Sequence, residues 1–320
     1  MQTTMGRTTH RDRGLILRAL GGLMLLAGLG AALLGPVELY VYYAFSEGGK
    51  FHYEGFRFGS FMFAYIALQV VGYYAIAAIL IPLGLGHLRL RRWAASLMQT
   101  LLWMWLVAGL PLTATALLML FVSKEPALPV IVASLVVVPL IYPIAPLLLM
   151  RFYRSEAARR TFEAADPRPD PLGDTPLPVR GACGLLILTL VALHGGFLLR
   201  GVFPFFGRLL SGMDGVLALD LMIVALGILT WGLARRKLWG WWGSLAVLAA
   251  LTASTALTFS RLTLRDALIA AQFPPYEMAL FQNVPLLAGR WGLLIAAPFA
   301  AMLAVLLPVR RHVRGFADRY

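Results

Sequence analysis

Runs of about 20 apolar residues recur along the whole chain, each closed by a short cluster of charged or turn-forming residues. A helix rising about 1.5 Å per residue needs that length to cross the roughly 30 Å hydrocarbon core of a bilayer. Composition agrees with that solvent. Hydrophobic residues make up 60% of the 320 and charged residues 13%, against roughly 45–50% and 25% in soluble domains. No compact interior of this size hides so much apolar surface. The strict apolar–polar alternation of an outer-membrane barrel is missing. The expected fold is all-α: a polytopic helical membrane protein with about eight transmembrane helices in two similar four-helix halves.

The expected spans are 19–34, 61–83, 97–121, 128–150, 182–199, 216–234, 238–259 and 291–307. The first has the basic start, apolar middle and small residues of a secretory signal peptide. Apolarity resumes after Gly35-Pro36 as VELYVYYAF, with no polar mature start, which favours a retained helix. The fourth contains Pro129, Pro139, Pro143 and Pro146. Each interior proline removes a backbone donor and disturbs the carbonyl a turn earlier. In lipid those carbonyls need partners, so this helix is expected to be kinked and packed within protein. Small-residue stripes at Ala246-Ala250-Ser254 and Ala296-Ala300-Ala304 are expected helix contacts. Thr113, Thr115, Thr252, Ser254 and Thr255 can bond back to their own helices.

Between the fourth and fifth runs lies RFYRSEAARRTFEAADPRPDPLGDTPLPVR, the only long stretch both charged and proline-rich. It divides the chain into a first membrane half at 1–150, a water-exposed cytoplasmic linker at 151–180 and a second membrane half at 181–320. The halves share a layout, and RRWAASL from Arg91 matches RKLW from Arg236 followed by WGSL from Trp242. TATAL from Thr113 matches ASTAL from Ala253, and RTF at Arg160 matches RGF at Arg314. A duplication of four spans gives parallel repeats about an axis along the membrane normal, as in some transporters.

Charge sets the orientation. Twenty of the 28 Lys and Arg residues fall in the N-terminus, the 84–93 turn, the central linker, the 235–237 turn and the C-terminal tail. Acidic residues divide almost evenly, so the whole net charge of +13 belongs to that set of segments. The positive-inside rule makes this face cytoplasmic, with both termini inside and an even number of spans in a plasma or inner membrane. Such a face attracts anionic lipids, and no basic surface interleaved with aromatics is present to bind nucleic acid. The outside loop from Ser260 begins with LTLRDALIAAQF, a helical pattern that Pro274-Pro275 ends. The aromatics Phe51, Tyr53, Phe56 and Phe58 fit an interfacial belt.

Few groups can carry chemistry. Intramembrane ionisable residues are costly and face protein or water. The candidate polar site is Asp220 near the outer end of the sixth helix, with Arg200 and Arg208 as partners, His194 in the fifth helix and Gln69 in the second. Its plain structural alternative is an Asp–Arg pair joining two helices, with His194 bonded to a carbonyl. Glu47, His52 and Glu54 are too sparse for a metal site. His194 alone cannot make a bis-histidine haem site, and no cofactor is expected. Cys183 is the single cysteine, which excludes an internal disulfide. No P-loop, HExxH or G-x-S-x-G sequence appears. The expected function is a small-solute permease or membrane binding unit between the halves. The alternatives are an accessory or scaffold subunit without chemistry, bound to a membrane-protein partner or to itself, and an enzyme on lipid-linked substrates using the outside loops.

Overall fold

The computed structural model describes residues 12–52, 55–122, 127–278, 287 and 289–313, and eight of its helices are long and apolar enough to cross a membrane. They are α1 (Gly14–Phe45), α2 (Phe61–Leu88), α3 (Arg92–Val122), α4 (Leu128–Arg154), α6 (Leu177–Leu198), α7 (Gly212–Ala234), α8 (Leu238–Arg261) and α10 (Gly292–Leu306). A short helix α5 (Glu156–Ala165) follows α4, and α9 (Leu264–Ala270) follows α8. The one departure from an all-helical chain among the described residues is a hairpin of β1 (Phe203–Phe205) and β2 (Arg208–Leu210) before α7. Its two turn residues, Phe206 and Gly207, both have positive φ (42° and 98°), the backbone twist that tight hairpins favour.

The first pair of helices is closed by glycine. Gly21, Gly28 and Gly35 recur every seven residues on one face of α1, and each is buried. A Cβ at Gly28 would fall 2.8 Å from the Ile81 side chain, and one at Gly35 2.8 Å from the Tyr74 ring. Across the seam, a Cβ on Gly84 would fall 2.7 Å from the Leu25 nitrogen and 2.8 Å from the Gly21 carbonyl oxygen. Such backbone approach is how helices associate in lipid, where no hydrophobic drive separates one apolar surface from another. The alanine stripes do not play this part. Ala246, Ala250, Ala300 and Ala304 are exposed, and only Ala296 and Ser254 are buried.

Helix α4 differs from expectation in its surroundings. Two π turns, Ala133–Val137 and Leu140–Ile144, lengthen the ladder around Pro139 and Pro143, with the Val138 amide donating to the Ala133 carbonyl and Ala145 to Leu140. The widened turns absorb the proline defects within the helix itself. Only 6% of its apolar window is buried, the least of the eight candidate spans, although Tyr142 packs closely on Gly109 of α3.

The largest core cluster joins α6, α7, α8 and α10 through Leu186, Leu226, Leu233, Leu248 and Leu306. Helix α3 reaches it as well, setting Trp103 against Gly181 and Met104 against Gly184 of α6. A second cluster, at one end of α1–α4, holds Leu17, Leu102, Met150, Tyr153 and Phe162. A third, at the opposite end, packs Phe203 of the hairpin between Leu219 and Leu251. There the hairpin docks on α8. Ser254 donates to the Pro204 carbonyl (2.8 Å) and accepts from Phe206 N–H, while Thr258 accepts from Gly207 N–H. Thr113, Thr115 and Thr252 do bond back to their own helices, but Ser254 serves the hairpin and the buried Thr255 hydroxyl has no partner among the described residues.

Candidate functional site

The basic segments meet at one end of the bundle, where the residues 155–176 fold back over the helix ends. Their platform is the α2–α3 turn. Helix α2 stops in a paired cap: Leu90 N–H donates to the His87 carbonyl (3.0 Å) and Arg91 N–H to the Gly86 carbonyl (2.8 Å), with Leu90 at φ +49°. This capping geometry normally takes glycine at the left-handed position. The α7–α8 turn repeats it with Arg236 at φ +54°, donating to Leu233, and Lys237 donating to Gly232. In both turns a tryptophan seven residues beyond the glycine folds onto it, Trp93 on Gly86 and Trp239 on Gly232.

His87 holds this end together. Its ring is fully buried, Nδ1 lies 2.8 Å from the Leu83 carbonyl oxygen, and Nε2 lies 2.8 Å from the Tyr153 hydroxyl. A carbonyl can only accept, so Nδ1 carries the proton and Nε2 accepts from Tyr153 O–H. Phe162 of α5 closes over the imidazole edge-on. One histidine thus ties α2 to α4 and to the segment beyond it.

That segment is ordered by its own polar residues. Ser155 caps α5 by accepting from Ala158 N–H, and Thr161 accepts from Arg13 N–H at the start of α1. Asp166 is buried and receives Arg91 Nη1 at 3.3 Å and the amides of Arg92 and Arg168 at 3.4 Å. Burial pushes its carboxyl pKa up, but the two amides and the Arg91 guanidinium outweigh this and hold it below its ordinary value. Asp170 accepts from the Ser96 hydroxyl and from Leu172 N–H. Further along, Arg180 donates to the Leu172 carbonyl and Arg236 to the Asp174 carbonyl. The central stretch is therefore a strap bonded to the α2–α3 turn and the start of α3 through Asp166 and Asp170, and to the α7–α8 turn through Asp174.

Under the strap lies a cavity of about 300 Å³ between α3, the end of α4 and α5. Arg92, Arg154 and Arg159 line it together with Ser96, Gln99 and Tyr153, and Glu163 and Asp170 supply the negative charge. Arg159 is held by Glu163 (3.6 Å), and Asp170 by Ser96. Among the described residues Arg154 has no ion pair, and the Arg92 guanidinium donates only to the Arg168 carbonyl (3.4 Å). Two guanidinium groups, each a planar fork of donors, are free to receive an oxyanion.

The residues singled out from sequence lie elsewhere and do not converge. Asp220 is exposed on α7 and forms no ion pair with Arg200 or Arg208 among the described residues. Arg208 lies over the Phe205 ring (5.7 Å), and Arg200 sits at φ +60° in the turn after α6. His194 is exposed, with Nδ1 at 2.8 Å from the Leu190 carbonyl oxygen. Gln69 is half-buried in α2. His52 bonds to the Glu47 carbonyl, and Tyr53 and Glu54 lie outside the described residues. Phe51 stacks on Phe45, and Phe58 packs on Phe63. Sequence reasoning passed over His87, Tyr153, Asp166 and Arg154 because all four sit in segments that read as solvated charge. The available signal was Gly84-x-Gly86-His87, which continues the apolar helix into the basic turn. Comparison with protein-family models, curated proteins and solved structures gives no match to this chain.

Proposed function

We propose that this chain is a multi-pass protein of the cell membrane that works as a binding unit for a small phosphate-bearing anion at its basic end. The observation that carries the reading is the arginine-lined cavity under the strap, where Arg92 and Arg154 form no ion pair among the described residues. Phosphate chemistry suits guanidinium forks, and a face with surplus cations gathers anions from a distance. Binding is favoured over passage because the interior beyond the cavity is filled by Trp103, Leu106, Leu186 and Leu226. In this reading the basic end faces the cytosol with both termini. The halves descend from a duplicated four-helix unit, a proposal that the matching caps at Gly86–Trp93 and Gly232–Trp239 support.

The test is titration calorimetry on the full chain in nanodiscs. One arm adds inorganic phosphate to neutral phosphatidylcholine discs, and the other compares discs with and without phosphatidic acid. Saturable binding in either arm, weakened at least about tenfold by Arg92→Gln with Arg154→Gln, supports the proposal and identifies the source of the phosphate. Absence of binding in both arms, or binding indifferent to the double substitution, refutes it. The alternative role of an accessory or scaffold subunit draws on a different observation, the acidic Asp220 on an apolar outer face.

A further inference from the structure

We infer that the outward face of α6 and α7 is where a second copy of this chain docks, Asp220 of each copy pairing with His194 of the other. Three observations converge on it. Asp220 lies within an exposed apolar stripe of α7 formed by Leu217, Leu221, Val224 and Ile228. A carboxylate in that setting is costly against lipid and calls for a cation or a donor. His194 is also exposed, and its Nδ1–H is engaged by the Leu190 carbonyl oxygen. This fixes the ring so that Nε2 is the nitrogen left to meet a partner, and among the described residues nothing meets it.

The third observation is depth. Leu219 packs at Gly196 and Leu190 at Gly227, so the antiparallel register of the pair sets His194 opposite residues 221–223. The two groups are therefore within about one helical turn of each other along the membrane normal. Identical chains insert with the same orientation, and a two-fold axis along the normal preserves depth. An acid and a base can meet across such an axis only if they already share a level in one copy. Asp220 and His194 do. The resulting face is self-complementary, as a two-fold interface must be, with the acid–base contact made twice. Exposed Ile187, Val191 and Leu198 on α6 extend the same apolar surface.

The decisive experiment uses full-length chains with two different tags, co-expressed and measured in nanodiscs by two-tag capture. Wild-type copies are expected to capture one another. His194→Asp leaves acid at both positions and Asp220→His leaves base at both, so each variant alone should capture itself at least about tenfold more weakly. Mixed, the two variants restore both contacts between copies, and capture should return to the wild-type level. A pair formed within one chain predicts no such recovery. The proposal is overturned if wild-type copies do not associate, if either variant self-associates like wild type, or if the mixture fails to recover. Should a variant not accumulate, Asp220→Asn and His194→Gln replace it. Each must then weaken self-capture, and unchanged capture overturns the proposal.

Discussion

A buried imidazole is stable only when both nitrogens are satisfied, and His87 meets that condition through one carbonyl and one hydroxyl. Tyr153→Phe keeps the ring and removes the donor to Nε2. The expected cost is about 1–3 kcal/mol, the penalty of a buried acceptor left unpaired, read as a lower midpoint in thermal unfolding of the detergent-solubilised protein. Asp166 gives a pH-dependent counterpart. Its folded carboxyl has a lowered pKa, so its contribution is complete above the ordinary value of about 3.9 and fades as pH falls through the lower folded value. Protease cleavage within the strap is expected to accelerate below about pH 4 and to be fast at all pH values in Asp166→Asn. Neither residue announces itself in the sequence. His87 stands beside Arg89, Arg91 and Arg92, and Asp166 stands in DPRPD, where each reads as one more solvated charge. Burial by a fold-back from 75 residues away leaves no local trace. Asp220, whose place in an apolar run suggested a polar site, is exposed on α7.

At the scale of helices, the spans were legible because length and apolarity are local properties. Their packing was not read from the sequence, where the alanine stripes drew attention and the glycines of α1 were passed over. Gly21, Gly28 and Gly35 stand at heptad spacing, the period of a seam between left-handed crossing helices. Alanine stripes are weaker signals, since an alanine facing lipid costs nothing, and those on α8 and α10 are largely exposed. The seam makes a sharp forecast. Gly84→Ala places a methyl 2.7 Å from the Leu25 backbone nitrogen, where no side chain can rotate away. Overpacking of this kind costs about 1–3 kcal/mol, whereas Gly72→Ala, with nothing within 4 Å of its new methyl, should leave the melting midpoint unchanged or higher. Helix α4 shows the limit of proline counting. Four prolines implied a disrupted ladder needing neighbours, and the ladder instead widens into two π turns on a helix that is little buried.

For the molecule as a whole, the order of the eight long helices sets which connecting segments share an end. The end opposite the arginine cavity holds the β1–β2 hairpin, α9 with its Thr263–Asp266 capping box, and the Phe61–Phe273 ring contact. Replacing Cys183 with Ser and moving the thiol to the exposed position Ser211 should allow labelling of intact cells by a membrane-impermeant maleimide. Labelling only after lysis would invert the proposed orientation. What the sequence could not show is how the first four long helices join the last four, because that depends on which faces meet and not on where helices begin. Helix α3 contacts α6, and the strap reaches Arg91 on one side and Arg236 on the other. A brace anchored at both ends has a mechanical corollary. Residues 166–174 are tied to Arg91 and Ser96 at one end and to Arg236 at the other, so displacing either turn from the other would pull directly on the ceiling of the arginine chamber.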